Sequence, residues 1–192
     1  QGRALALIMM RQDDAALPMI EEALAAKPAL WRLWNARGLI FAGRGEFKEA
    51  ETSYMRALAI NPAAAMVENN LGYAHMLQGR AERALVHFGK ALAIDPGLTM
   101  ARNNRRLALA WAGRYPEALA EVEGKDMPNV LNDVGVIAMR QGDLRRAESY
   151  FARAMELSPS YHAKAAQNLA DLRARQRAGG NSAPKAPISS VR

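Results

Sequence analysis

The feature that most constrains this chain is a ladder of prolines. Pro28, Pro62 and Pro96 stand 34 residues apart, and other landmarks keep the same step. Small residues recur at Ala16, Ala50, Ala84 and Ala118, and large apolar ones follow four places later at Ile20, Tyr54, Phe88 and Val122. Gly45, Gly79 and Gly113 punctuate the same frame. A fixed period of this length marks a stacked-repeat protein. Each unit leans on its neighbours, and a lone unit cannot bury its apolar face.

One period, Trp31 to Pro62, shows what a unit contains. Trp34, Leu39 and Phe41 precede a Gly43-Arg44-Gly45 break, and Ala50, Tyr54, Ala57 and Leu58 follow it at helical spacing. Asn61-Pro62 ends the second stretch, because the residue before a proline is pushed out of the helical region. Glycine supplies the tight turn between the two stretches. Each unit therefore reads as helix A, turn, helix B, and the fold class is all-α.

Composition narrows the possible functions. The 192 residues include no cysteine, which excludes disulfides and thiolate metal sites. No run of 18 apolar residues is present, so no membrane-spanning helix is expected. Ala4–Met10 is apolar and follows Arg3, but no small-residue cleavage site comes after it; it reads as a first helix in repeat register. The chain opens on Gln1 and not on Met, and is expected to be a processed or trimmed product. The formal charge is +7, and most of the excess lies after Ser160, where Lys164, Arg173, Arg175, Arg177, Lys185 and Arg192 face only Asp171. Nucleic-acid binding wants a basic stripe along a binding face. A basic terminal helix and tail do not supply one, so no nucleic-acid partner is expected.

The repeat frame also carries a resemblance. Trp34, Gly38, Phe41, Ala50, Tyr54, Ala57 and Pro62 resemble the tetratricopeptide repeat. The next unit matches through Leu71, Gly72, Ala84, Phe88, Ala91 and Pro96, and the last through Val134, Gly135, Gly142, Ala147, Phe151, Ala154 and Pro159. The resemblance implies a right-handed superhelix of helix-turn-helix repeats, an α-solenoid with ridges packed into grooves. On this reading residues 1–177 form the solenoid, with repeats at about 1–30, 31–64, 65–98, 99–127 and 128–161 and a capping helix at 161–177. The Gly-, Ser- and Pro-rich segment 178–192 reads as a disordered tail. The capping helix carries Tyr161, Ala165, Leu169 and Leu172 as its apolar stripe.

The fourth unit is short. Gly113 and Gly142 are 29 residues apart instead of 34, and the loss is placed after Val122, where Glu123-Gly124-Lys125-Asp126 breaks helix B. Arg105 and Arg106 stand where Leu and a small residue are usual. Drift, with the arginine stems snorkelling, is the first reading; a deliberate change of pitch is the second.

Chemistry is sparse. His75, His87 and His162 form no i, i+4 pair and no framed zinc site, and His75, at the offset of Phe41, reads as packed or partly exposed. No catalytic motif is present, the glycines are turn glycines, and the chain is not expected to be an enzyme or to need a cofactor or a metal. One set of residues does recur on helix A: Asn35, Asn69, Asn103 and Asn132, followed by Asn70, Asn104 and Asp133. In the resembling family helix A lines the concave groove. That assigns Asn35, Met66, Asn69, Asn70, Tyr73, Met76, Met100, Asn103, Asn104, Leu107, Asn132, Asp133, Val136 and Met139 to a groove for a protein or peptide partner. An asparagine offers a donor and an acceptor and pairs with any main-chain amide, while Met and Tyr give adaptable apolar contact. The alternative is that these asparagines bond neighbouring backbone or pack between repeats. Arg32, Arg37 and Arg102 do not make up the lysine-with-asparagine set by which some members hold a terminal carboxylate.

Asn69-Asn70-Leu71-Gly72 and Asn103-Asn104, with Leu107-Ala-Leu-Ala-Trp-Ala-Gly-Arg114, resemble the TadD-type repeat proteins of bacterial tight-adherence (Flp) pilus assembly. That resemblance implies an outer-membrane lipoprotein assisting the pilus secretin, hence a periplasmic or outer-membrane-associated place. Without cysteine, a lipid anchor would lie outside this chain. The rival expectations are a cytoplasmic adaptor of another pathway, or the repeat region of a larger enzyme such as a glycosyltransferase.

Overall fold

A computed structural model of the chain describes residues 13–120, 122, 124–158 and 162–177. The expected first helix before residue 13, Pro159, Tyr161 and the tail 178–192 lie outside the described residues. Among the described residues there are ten α-helices and no strand. They are α1 (Asp13–Ala26), α2 (Trp31–Gly43), α3 (Phe47–Ile60), α4 (Ala65–Leu77), α5 (Ala81–Ile94), α6 (Thr99–Trp111), α7 (Tyr115–Leu119), α8 (Met127–Arg140), α9 (Leu144–Glu156) and α10 (Ala163–Arg177). The chain divides into two compact units, Gln1–Asn104 and Arg105–Arg192, with the boundary inside α6.

In the first unit α2 packs on α3 and α4 on α5, as A–B hairpins, and α3 packs on α4 to join them. The turn inside each hairpin repeats one device. Gly45 and Gly79 take φ of 77° and 74°, and the next residue's N–H reaches back to the helix: Glu46 to the Phe41 carbonyl at 2.9 Å, Arg80 to that of His75 at 3.0 Å. This is a Schellman ending, and the left-handed glycine allows it without Cβ strain. Closeness of the two helices comes from a second glycine. A Cβ on Gly38 would lie 2.5 Å from the Tyr54 ring, and one on Gly72 would lie 2.8 Å from that of Phe88. Tyr54 and Phe88 are fully buried, so the small residue and the ring form one contact. Burial raises the pKa of the Tyr54 hydroxyl well above its ordinary value.

The second unit keeps the pattern in α8 and α9, where Gly142 (φ 83°) makes the turn and Gly135 faces Phe151 at 2.7 Å from its absent Cβ. Here the Asp143 carboxylate also caps α9, accepting from the Arg146 N–H at 3.1 Å. The helix α10 packs on α9, and its Ala165, Leu169 and Leu172 are buried. The short unit differs from expectation. Its helix B, α7, has five residues against fourteen in α3 and α5, and it ends at Leu119, before Val122, with Ala120 extended. It is held to α8 by a small polar lock. The Tyr115 hydroxyl donates to Gln141 Oε1 at 2.6 Å, and Gln141 Nε2 donates to the Trp111 carbonyl at 2.6 Å.

Candidate functional site: an asparagine chain on the A helices

The periodic asparagines fall on α2, α4, α6 and α8, all A helices. In the first unit they bond to one another from helix to helix. Asn104 Nδ2 donates to Asn69 Oδ1 at 3.0 Å, Asn69 Nδ2 to Asn70 Oδ1 at 3.4 Å, and Asn70 Nδ2 to Asn35 Oδ1 at 2.9 Å. The result is a chain of four amides running α6 to α4 to α2 with every donor aimed the same way. Aligned hydrogen bonds of this kind polarise one another and gain strength in a protein interior. The reason is geometric: the partner of each asparagine lies one period and one residue further on, at 35 residues, so an Asn-Asn pair on one helix reaches both neighbours.

The second unit repeats the device with different ends. Asn168 Nδ2 on α10 donates to Asn132 Oδ1 at 2.8 Å, and Asn132 Nδ2 donates to Asp133 Oδ1 at 3.4 Å. Asp133 stands where Asn70 and Asn104 stand in the other repeats. Burial raises the pKa of its carboxyl, opposed by the bond from Asn132 and by the charges of Lys164 and His162. Asn168 escaped the sequence reading, which saw only an apolar stripe on that helix. It lies 36 residues beyond Asn132, two more than the repeat period, so the ladder of asparagines does not point to it.

The fourteen expected residues separate by burial. Around the amide chain of the first unit, Met66 and Met100 are 41% and 52% exposed, Asn103 is exposed, and Asn35, Asn70, Tyr73 and Asn104 are half-buried. Leu39 on α2, absent from the expected set, is exposed beside them. In the second unit Leu107, Asp133, Val136 and Met139 are half-buried. Asn69 is 1% exposed, and Asn132 is buried as well; both are linkers between helices. Met76 is a correction. At 2% exposure it is packed inside and has no surface to offer a partner.

Two further position effects were not foreseen. The position of Trp34 is held by Glu68 one repeat on and by Arg102 two repeats on. Trp34 Nε1 donates to the Pro28 carbonyl at 2.8 Å, and Arg102 Nη2 donates to the Pro96 carbonyl at 2.7 Å, so indole and guanidinium tie down equivalent loops of different repeats. Glu68 instead turns to His87, 2.7 Å from its Nδ1. Arg37, at a position that is Leu71 in the next repeat, lies over the Phe41 ring at 4.5 Å and donates to Ser53 Oγ at 2.8 Å. Among the described residues no group of three or more His, Cys, Asp or Glu is placed to hold a metal ion, and no helix is long and apolar enough to cross a membrane.

The same architecture occurs in solved structures. PilW, titled a widely conserved type IV pilus biogenesis factor, is 23% identical, with a TM-score of 0.63 over 92% of this chain and 90% of that one. YrrB, titled a tetratricopeptide repeat protein with an unusual peptide-binding site, is 20% identical, with a TM-score of 0.64 over 85% and 87%. PilF of Pseudomonas aeruginosa is 18% identical, with a TM-score of 0.59 over 93% and 90%. No curated protein sequence matches the chain. Tetratricopeptide-repeat family models match residues 31–64, 65–98 and 128–161, together more than half of its length. Those are the stretches in which turn glycine, close-contact glycine and buried ring coincide. By its sequence and by that packing, the chain belongs to the tetratricopeptide repeat family.

Proposed function

We propose that this chain is a non-catalytic scaffold that holds an extended segment of a partner protein against the face of its A helices. One observation carries the reading. Asn35, Asn70 and Asn104 are tied into a rigid amide chain yet stay half-exposed, flanked by the exposed Met66 and Met100. A carboxamide has two donor hydrogens and two acceptor lone pairs, more than the chain consumes, and the remainder suits main-chain N–H and C=O groups of any sequence. Pre-fixed amides lose little side-chain freedom on binding, while methionine adapts to the partner's side chains. The peptide-binding site named for YrrB supports a peptide ligand in this fold.

We further propose that the partner belongs to bacterial pilus assembly or secretion. PilW lends support through its fold and its stated role, and the Asn69-Asn70-Leu71-Gly72 and Asn103-Asn104 segments lend support through the tight-adherence resemblance. The binding test places a photo-reactive residue at Met66 or Met100 and, as controls, at Met55 or Val86, which are exposed on B helices. Partner crosslinks should concentrate at the first pair; equal or stronger crosslinking at the second moves the site to the other face. Deleting the gene in its host should then remove or reduce surface pili. Normal piliation would sink the pilus assignment and leave the scaffold reading standing.

A further inference from the structure

One cluster in the first unit takes no part in the asparagine chain. His75, on α4, is 3% exposed, and its Nδ1 is buried without a hydrogen-bond partner. Its ring stacks on that of His87, on α5, with centroids 5.2 Å apart and planes inclined by 26°. His87 Nδ1 in turn meets Glu68 Oε2 at 2.7 Å, and Glu68 is itself 7% exposed. The frame of the repeat shows how unusual this is. The equivalent places in the preceding repeat hold Phe41, Ser53 and Trp34, none of which titrates in the physiological range.

We propose that repeat 65–98 contains an acid-sensitive joint: protonation of the stacked His75–His87 pair unseats α4 from α3 and α5 and so loosens the amide chain that α4 carries. Neutral imidazoles stack without penalty. Two imidazolium rings at 5.2 Å repel, and the carboxylate bonded to the pair, Glu68, meets only His87 of the two. The argument holds for either tautomer of His75. A protonated ring carries a hydrogen on Nδ1, and nothing is there to accept it.

The charges around the pair favour the same outcome. On α5, Arg83 and the more distant Lys90, 4.0 Å from Glu68, add positive charge, as does Arg80 in the turn before it. On α3, Glu51 is the opposing carboxylate. On α2, Arg37 is turned onto Ser53 and Glu21, and on α6, Arg102 is turned onto the Pro96 carbonyl. Burial depresses the pKa of His75 below its ordinary value; His87, Arg80 and Arg83 push it the same way and Glu51 opposes them. A base with a depressed folded pKa contributes stability that is complete above about pH 6.5 and declines as the pH falls below it. The consequence for α4 follows from the chain itself, since Asn69 and Asn70 sit on that helix. The stability claim is independent of the peptide-binding proposal; only the loss of partner affinity in acid rests on it.

The test is the melting temperature of the full chain between about pH 7.5 and about pH 5, in wild type, in His75→Phe and in Glu68→Gln. His75→Phe installs the residue of the preceding repeat and should remove at least half of the acid-induced fall. Glu68→Gln, which withdraws the counter-charge, should steepen it. Equal falls in wild type and His75→Phe overturn the joint, even if binding of a partner is later found. Should His75→Phe fail to fold, proton NMR of the wild type decides, because the chain has only three histidines. Two imidazoles whose titrations perturb one another, one of them below the usual range, support the joint. Three independent curves at ordinary midpoints overturn it.

Discussion

Gly72→Ala is the substitution that most directly examines how these repeats hold together. A Cβ at Gly72 would meet Phe88 Cε1 at 2.8 Å and Cδ1 at 2.9 Å, with the Ala84 carbonyl oxygen at 3.2 Å. Ordinary contact begins near 3.4 Å, so the ring must give by about 0.6 Å. Phe88 is fully buried and the Ala84 oxygen belongs to the backbone, so neither yields freely. Overpacking of this kind costs about 1–3 kcal/mol. Alanine in a helix interior returns about 1 kcal/mol relative to glycine. The balance is a net loss of up to about 2 kcal/mol, which lowers the melting temperature by up to about 8 °C for a domain of this size. Gly89 is the control. It lies inside α5 and a Cβ there meets nothing within 4 Å, so Gly89→Ala keeps only the propensity gain and should stabilise by about 0.5–1 kcal/mol. Opposite signs for two helical glycines of the same repeat are the expected result. Circular-dichroism melts and urea titrations of both variants measure it. The double variant Gly72→Ala, Phe88→Leu should recover part of the loss, giving a coupling of the two sites. If Gly72→Ala melts at or above wild type, close approach is not what selects glycine here.

Three further outcomes are expected. Gly79→Ala should cost about 1–2 kcal/mol through the backbone alone, because φ is +74° and its Cβ would touch nothing; an unchanged urea midpoint would contradict this. Asn69→Ala removes the middle of the amide chain and strands Asn104 Nδ2, so it should lower stability by about 1–3 kcal/mol, and a flat melting comparison would mean the chain carries no inter-helix energy. Asp133 has a folded pKa raised chiefly by burial, so its carboxyl favours folding when protonated and this contribution is lost as the pH rises through that pKa. Asp133→Asn should therefore raise the urea midpoint at about pH 7, with the advantage closing towards about pH 4, and an equal midpoint at the higher pH would refute it.

The repeat frame was legible because each landmark is set by local sterics that recur. A turn that needs φ near +75° selects glycine at Gly45, Gly79, Gly113 and Gly142, and a ring pressed on helix A selects Gly38, Gly72 and Gly135. The candidate site was legible only as a column of residue types. That Asn35, Asn70, Asn69 and Asn104 bond across helices depends on a step of 35, one more than the period, which emerges only when repeats stack. Met76 misled for a related reason. It follows Tyr73 by three residues, but at about 100° per residue it stands about 60° round the helix, and that displacement takes it inside. The cluster of Glu68, His75 and His87 was invisible in sequence because its members come from three different columns of the repeat, none of them polar throughout.

The fourth unit shows that departures from a repeat can compensate one another. In three units a glycine on helix A and a ring on helix B occur as a pair: Gly38 with Tyr54, Gly72 with Phe88, Gly135 with Phe151. In the fourth both are gone, with Arg106 at the glycine place and Val122 at the ring place. Helix α7 ends at Leu119, so helix B does not extend to position 122 and no buried ring is presented to helix A there. Once the ring is absent, glycine is no longer required, and a helix-favouring residue with a long side chain is tolerated. The early stop calls for another anchor, and Tyr115 with Gln141 supplies it by bonding the start of α7 to the end of α8 and to the Trp111 carbonyl. In this unit the glycine–ring contact of the other three is absent, and a polar lock from Tyr115 through Gln141 to the Trp111 carbonyl joins α7 to α8.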